Sequence, residues 1–350
     1  MMTRMLAVLA LVLVPFVGSN IAAACSRVLW STNGQAVVVG RNMDWYEDMR
    51  TDLWAFPRGI AHSGLAGDNS VQWTSKYGSV AASVYGIATA DGMNEKGLIA
   101  SLLWLTEADY GTRDPKLPGL SISLWVQYTL DNFATVAEAV AAVERGGMQF
   151  VSARLPGEAG MATVHMALAD ASGDSAIIEI VDGGKASVHH DRAYTVMTNS
   201  PRFEQQLANM KKFEGLGGNA PLPGTSDAAD RFVRAAYYAR NLNKPRDLRE
   251  AYASLLSVMR NVAQPFVKAT PEKPEASHTI WRTLADATHR VYFFESSLRP
   301  NIIWVDLDAI DFADTTPVRK LDLINGGDLV GDVTASFVPA QSISFLPGGR

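Results

Sequence analysis

Cys25-Ser26-Arg27-Val28-Leu29-Trp30-Ser31-Thr32-Asn33-Gly34-Gln35-Ala36-Val37-Val38-Val39-Gly40-Arg41-Asn42-Met43-Asp44-Trp45 reads as two strands joined at a turn. The first six residues have strand-forming character. Asn33-Gly34 between two apolar runs is the strongest short-range hairpin signal, so Ala36 to Val39 is expected to return antiparallel to the first strand. The return carries Arg41 and Asp44, which follow Cys25 by 16 and 19 residues, back near its level. An arginine beside a thiol favours the thiolate, and a carboxylate can accept an N–H from an α-amino group. Read from the hairpin alone, the same Arg and Asp serve equally as an exposed ion pair at a strand end.

The pattern continues with strand-like runs around Trp54, over Val71 to Trp73 and over Val80 to Tyr85. Asp91-Gly92-Met93-Asn94-Glu95-Lys96-Gly97 turns into an apolar strand from Leu98 to Leu105. Leu120 to Leu130 is amphipathic. Thr135-Val136-Ala137-Glu138 is a capping-box sequence opening a second helix towards Arg145. Thr163 to Ala169 and Ser175 to Val181 pair as strands around Ser172-Gly173-Asp174, and Tyr194 to Thr198 is a further strand. Ser226 is the expected N-cap of a helix reaching Arg240, a helix covers Leu248 to Val262, and three strands follow near Thr279, Arg290 and Ile302. No long Pro/Ser linker divides the chain. The simplest arrangement is one α+β domain, with helices packed on both faces of antiparallel sheets.

Of the 350 residues, 47% are apolar, 36 are acidic and 31 basic, and a single one is cysteine. Disorder is excluded by that apolar content. A net charge of -5 without a Lys/Arg block excludes nucleic acid as a partner class, because phosphate neutralisation needs a clustered basic face. One cysteine forms no internal disulfide and no thiolate-rich metal site. The six histidines contain no His-x-x-x-His pair, so no metal is expected, and adjacent His189 and His190 read as a surface feature. Neither Gly-x-Ser-x-Gly nor Ser-x-x-Lys occurs, which disfavours a serine hydrolase.

Residues 1–24 read as an export signal: Arg4, an apolar run from Met5 to Val17, then Ala22-Ala23-Ala24. The apolar run is short for a bilayer span, and no other segment approaches that length, so the mature chain is expected to be soluble. Cleavage after Ala24 leaves 350 − 24 = 326 residues and makes Cys25 the amino terminus. Three readings of Cys25 then stand side by side. It is an incidental buried residue; or the acylated cysteine of a lipid-anchored, non-catalytic binding protein; or a nucleophile whose own α-amino group serves as base. That amine, with a pKa of about 7.7 to 8.0, suits a thiol of about 8.5 near neutral pH.

Further along, the residues fall into a known order. Cys25, Gly40-Arg41-Asn42-Met43-Asp44-Trp45, Met93-Asn94-Glu95-Lys96-Gly97-Leu98, Thr198-Asn199-Ser200-Pro201, and Leu222-Pro223-Gly224 ahead of Asp230-Arg231-Phe232 occur in succession. Taken together the chain resembles the choloylglycine hydrolase family of N-terminal-nucleophile amide hydrolases, which includes penicillin V acylases and bile salt hydrolases. The resemblance implies a four-layer αββα sandwich over residues 25–350, no cofactor, and a homo-oligomer, since family members are often tetramers. It implies Cys25 as nucleophile, Arg41 and Asp44 beside it, Asn199 as a side-chain donor to the oxyanion hole, and Arg231 completing the charged cluster.

Trp104 stands where bile salt hydrolases carry an asparagine. With Trp45, it is expected to put indole surface at the substrate mouth, favouring a flat aromatic or extended acyl group. The short stretch between Pro201 and Leu222 is a further likeness to the Gram-negative penicillin V acylase branch, whose members also cleave long-chain acyl-homoserine lactones. The expectation is an exported, periplasmic hydrolase of a small linear amide, matured by signal peptidase and free of the membrane afterwards. Bile salt hydrolysis is the nearest alternative.

Overall fold

The return strand of the first hairpin is buried along its whole length, Val38–Trp45. That accounts for the unbroken Val37-Val38-Val39 run, because a strand covered on both faces loses the alternation of a half-exposed one. The computed structural model describes residues 24–158, 160–268, 270, 276–299 and 301–349. Residues 1–23, nearly all of the expected export signal, lie outside the described residues.

Among the described residues two large sheets form. The 7-stranded sheet has the order β14 (Val196–Met197), β1 (Ala24–Trp30), β2 (Val38–Trp45), β15 (His278–Asp286), β16 (Val291–Ser296), β17 (Ile302–Asp306), β19 (Gly331–Asp332). The 9-stranded sheet has the order β13 (Lys185–His190), β12 (Ser175–Val181), β11 (Val164–Ala169), β8 (Ile99–Trp104), β7 (Ala88–Asn94), β6 (Ser79–Val84), β3 (Leu53–Phe56), β18 (Arg319–Leu321), β20 (Val338–Pro339). Short pairs β4 (Ala61–Ser63) with β5 (Gln72–Thr74), and β9 (Gly119–Ser121) with β10 (Gln149–Val151), lie beside them. Helices α1 (Trp125–Asn132) and α2 (Val136–Arg145) cover the second sheet, and α4 (Ala228–Arg240) and α5 (Leu248–Asn261) cover the first. This is the expected αββα sandwich.

Polar ties cross between the sheets. Asp91 on β7 accepts from Ser101 of its own sheet at 2.5 Å, and from Thr283 at 2.9 Å and Tyr292 at 2.5 Å on the opposite sheet. From β1, Arg27 donates across to the Leu168 carbonyl at 3.0 Å. Burial pulls its guanidinium down to about 9. Such groups stay inside only because each has partners. Gly40 sets the approach of α5 to β2: a Cβ there would stand 2.5 Å from Met259 Cγ.

Several expectations need correction. The β1–β2 connection spans residues 31–37 rather than a two-residue turn. Asn33 organises it, accepting from the Gln35 and Ala36 N–H groups and donating to the Trp30 and Ala36 carbonyls. The helix expected from Leu120 begins at Trp125. Gly119–Ser121 is instead a strand, and the Ser121 and Ser123 hydroxyls both donate to the Leu346 carbonyl at 2.7 Å, which pins this segment to the C-terminal stretch. The N-cap of α4 is Asp227, because the Ser226 carbonyl is committed to Arg231. The strand expected over Tyr194 to Thr198 contracts to Val196–Met197, and α3 (Phe203–Met210) was not anticipated. Nor are both adjacent histidines at the surface. They occupy β13, whose alternation turns the His189 side chain inward, 10% exposed and 3.6 Å from Glu179, while His190 meets Asp174 at 2.8 Å.

Candidate active site

The hairpin register sets Cys25 opposite Met43, Ala24 opposite Asp44 and Arg27 opposite Arg41. Alternation along β1 and β2 then divides the chemistry between two faces. The Cys25 thiol, Met43 and Arg41 face the second sheet. Ser26 and Asp44 face the helix layer, where α4 brings in Arg231.

On the first of these faces, Arg41 Nη2 lies 3.9 Å from Cys25 Sγ and 3.4 Å from Met43 Sδ, and donates to the Leu102 carbonyl at 2.9 Å. The face of the Trp281 indole supports the same guanidinium, 4.5 Å away. Nε and Nη1 of Arg41 have no partner among the described residues, so its charge is left for the thiol and whatever enters beside it. The net effect on the thiol nevertheless differs from the expectation drawn from Arg41 alone. Burial pushes the Cys25 thiol up, Arg41 pulls it down, Asp44 pushes it up again, and burial prevails.

On the other face, Arg231 has 0% exposure and grips the backbone of Cys25. Its Nη1 donates to the Cys25 carbonyl at 2.5 Å and the Ser26 hydroxyl at 2.6 Å, and its Nη2 donates to Asn199 Oδ1 at 3.0 Å. Asn199 Oδ1 also accepts from the Cys25 N–H. In the full-length chain that nitrogen is a peptide N–H. Asn199 Nδ2 donates one N–H to the Trp104 carbonyl at 2.8 Å, which leaves its second N–H for a ligand.

Asp44 lies 3.8 Å from Arg231 Nη1 through Oδ2 and accepts from the Thr279 hydroxyl at 2.5 Å through Oδ1. Its Oδ2 has no hydrogen-bond partner among the described residues. Burial raises the carboxyl to about 6 against the pull of Arg231 and Thr279.

A cleft of about 690 Å³ opens onto Cys25 and Arg41, walled by Trp45, Leu102, Trp104, Ile122 and Leu346 among others. Trp45 and Trp104 stand with ring centroids 5.7 Å apart, tilted at 47°. Trp45 is held by its indole N–H, which donates to Tyr85 at 2.9 Å, and Tyr85 donates to Glu47 at 2.6 Å. All seven residues singled out from the sequence thus gather at one place. Met43, Ser26, Thr279 and Trp281 were not singled out. Met43 had a signal, since it lies directly across the hairpin from Cys25; Thr279 and Trp281 come from β15 and are joined to the site only by sheet pairing.

The model of the linear amide C–N hydrolases, choloylglycine hydrolase family, matches residues 25–320. Penicillin V acylase of Pectobacterium atrosepticum is 43% identical over 94% of this chain and 93% of its own length. The solved structure of penicillin V acylase from Agrobacterium tumefaciens superposes with a TM-score of 0.83 at 47% identity, covering 92% of this chain and 99% of that one. A conjugated bile acid hydrolase variant from Clostridium perfringens, at 21% identity and a TM-score of 0.72 over 88% of this chain and 98% of its own, shares the fold. With the Cys25 hairpin, the αββα sandwich and these matches in agreement, the chain belongs to the choloylglycine hydrolase family of linear amide C–N hydrolases.

Proposed function

We propose that this chain is exported to the periplasm, loses residues 1–24, and uses Cys25 to cleave an acyl amide of the penicillin V type, with long-chain acyl-homoserine lactones as further substrates. The observation that carries this reading is the grip on Cys25. Its nitrogen, carbonyl and thiol are each held by a different buried group, Asn199, Arg231 and Arg41. A merely structural cysteine needs no such arrangement. The family match begins at residue 25, which supports Cys25 as the mature terminus.

In this mechanism the α-amino group takes the thiol proton, and the thiolate attacks the amide carbonyl. The tetrahedral oxyanion meets the free N–H of Asn199 Nδ2. The C–N bond breaks as the ammonium returns its proton to the leaving amine, giving a thioester on Cys25. Water, deprotonated by the same amine, attacks the thioester, releases the carboxylic acid and restores the thiol. The charge of Asp44, which bears on Cys25, favours the ammonium that forms at each step, and Arg231 fixes the Cys25 backbone throughout. The tilted Trp45–Trp104 pair and the apolar cleft favour a phenoxyacetyl ring or an alkyl chain over a bulky steroid acid.

Rates on penicillin V, glycocholate and a long-chain acyl-homoserine lactone test this. The first and third are expected to be cleaved faster than glycocholate; a dominant rate on glycocholate overturns the substrate assignment. Intact mass of the mature chain, expected at that of residues 25–350, separates a free Cys25 terminus from a diacylglycerol anchor. Light scattering tests the homo-oligomer, a tetramer, that we include in the proposal.

The state of Asp44 sets a pH dependence. A carboxyl raised to about 6 is neutral below that value, so the part of the rate that needs its charge is lost as pH falls through about 6, not through the ordinary carboxylate range. The acid limb of kcat/KM for penicillin V should therefore bend near pH 6 on top of the amine's own titration at about 7.7 to 8.0. In Asp44→Asn the lower bend should vanish and the rate at neutral pH should drop. A bend near 6 that survives in Asp44→Asn assigns it to another group.

A further inference from the structure

His165 is a buried polar side chain in the apolar strand β11, and the mechanism above does not use it. It is 1% exposed, and its ring lies between two acceptors. Nε2 is 2.8 Å from the Thr198 carbonyl, and Nδ1 is 3.4 Å from Glu179 Oε1. A carbonyl and an ionised carboxylate can only accept, so both ring nitrogens donate, Nε2 to the carbonyl of Thr198, the residue before Asn199, and Nδ1 to Glu179.

Glu179 holds the other end of the same loop. Its Oε1 accepts from the Phe203 N–H at 2.9 Å, at the start of α3. Burial raises this carboxylate, yet the hydrogen bonds from His165, His189 and Phe203 outweigh it and hold it at about 2. The loop 198–203 is thus clamped at Thr198 by His165 and at Phe203 by Glu179. Between them Gln206 Nε2 donates at 3.2 Å to the Thr198 hydroxyl and to the Asn199 carbonyl. The Thr198 hydroxyl in turn donates at 2.9 Å to the Ala228 carbonyl, at the start of the helix that carries Arg231. Nothing in this network touches the cleft. Its output is the position of the Asn199 amide, with Oδ1 on the Cys25 nitrogen and Nδ2 beside the Trp104 carbonyl.

We propose that His165, braced by Glu179, is a positioning residue that sets the Asn199 amide through the Thr198 carbonyl. The inference rests on the reading of Asn199 as part of the reacting site. Misplacing a catalytic group by about 1 Å can cost ~100-fold in rate, which is the scale to look for.

The experiment measures kcat and KM for penicillin V in His165→Leu, His165→Gln, Asn199→Ala and the double variant His165→Leu/Asn199→Ala. Leucine removes the donor, whereas the glutamine amide can supply an N–H to the same carbonyl. His165→Leu is expected to lower kcat by about ten- to a hundredfold with KM within about twofold, and His165→Gln to recover most of the loss. In the Asn199→Ala background, His165→Leu should cost no further rate, because it acts through the side chain already removed. A loss that persists undiminished in the double variant, or His165→Gln as slow as His165→Leu, overturns the proposal in favour of a general packing role. Wild-type kcat in His165→Leu overturns it directly. If Asn199→Ala itself keeps full activity, the reading of Asn199 falls and this inference with it; if Asn199→Ala is slow and His165→Leu is not, this inference alone falls. Should His165→Leu fail to fold, the comparison of His165→Gln with Glu179→Gln decides. Glu179→Gln is then expected to lower kcat with little change in KM, and an unchanged kcat overturns the proposal.

Discussion

Cys25→Ala should reduce kcat on penicillin V by roughly ten-thousandfold to a millionfold, the range seen when a covalent nucleophile is removed and only binding and oxyanion stabilisation remain. Cys25→Ser should fare little better. Its hydroxyl holds its proton far more tightly than a thiol, and the site around it favours burial over charge. The fold should survive either change. Within its own strand pair Cys25 Sγ meets Met43 Sδ at 3.7 Å and Arg41 Nη2 at 3.9 Å, and removing it costs about 1 kcal/mol in lost apolar burial. The grip of Arg231 and Asn199 is on backbone atoms, which the substitutions leave in place. Kinetics beside thermal unfolding of each variant provide the check. Hydrolysis by Cys25→Ala at the wild-type rate would end the thioester mechanism, and a collapsed Tm would show that the thiol is needed for folding.

How much of this site can be read from the chain depends on the distance over which each contact is made. Cys25, Arg41 and Asp44 lie on one hairpin, so a local signal, Asn33-Gly34 between apolar runs, places them together before any tertiary packing is known. The connecting loop is longer than an Asn-Gly turn implies, and the register moves by one residue: a two-residue turn would set Cys25 opposite Asn42, whereas Trp30 pairs with Val38 and Cys25 with Met43, which still returns Arg41 and Asp44 to its level. Asn199 and Arg231 reach Cys25 across 174 and 206 residues, and no period or propensity encodes such contacts. Resemblance of ordered motifs supplied them. His165 and Glu179 stayed unread for a related reason: inside apolar strands a lone polar residue states that it needs a partner, without naming it. The strands most easily read were the long buried ones. Two-residue strands such as Val196–Met197 and Gly331–Asp332 exist because a neighbouring strand offers free backbone groups, which is a property of the sheet and absent from the local sequence.

Mature protein made with Ala24 still attached, or with any residue preceding Cys25, should be nearly inactive while fully folded. In the full-length chain the backbone of residue 24 continues β1 opposite Asp44, so the extra residue fits the sheet without strain. Its effect is chemical. The Cys25 nitrogen is then an amide, whose N–H already donates to Asn199 Oδ1 and which has no basic lone pair to take the thiol proton. Burial holds the thiol above its ordinary value, so little thiolate forms unaided. Arg41, at 3.9 Å, does not offset this. The loss should match that of a missing general base, about a hundred- to ten-thousandfold in kcat. Removing the extra residue from the same preparation, with intact mass confirming Cys25 as the first residue, should restore the rate. Full activity with Ala24 in place would mean that another group takes the proton. Asp44 would then be the first to test, since a carboxyl raised to about 6 with Oδ2 unpartnered among the described residues is a base left in the site. That outcome would move the base from the amino terminus to a side chain and make cleavage after Ala24 a matter of export alone.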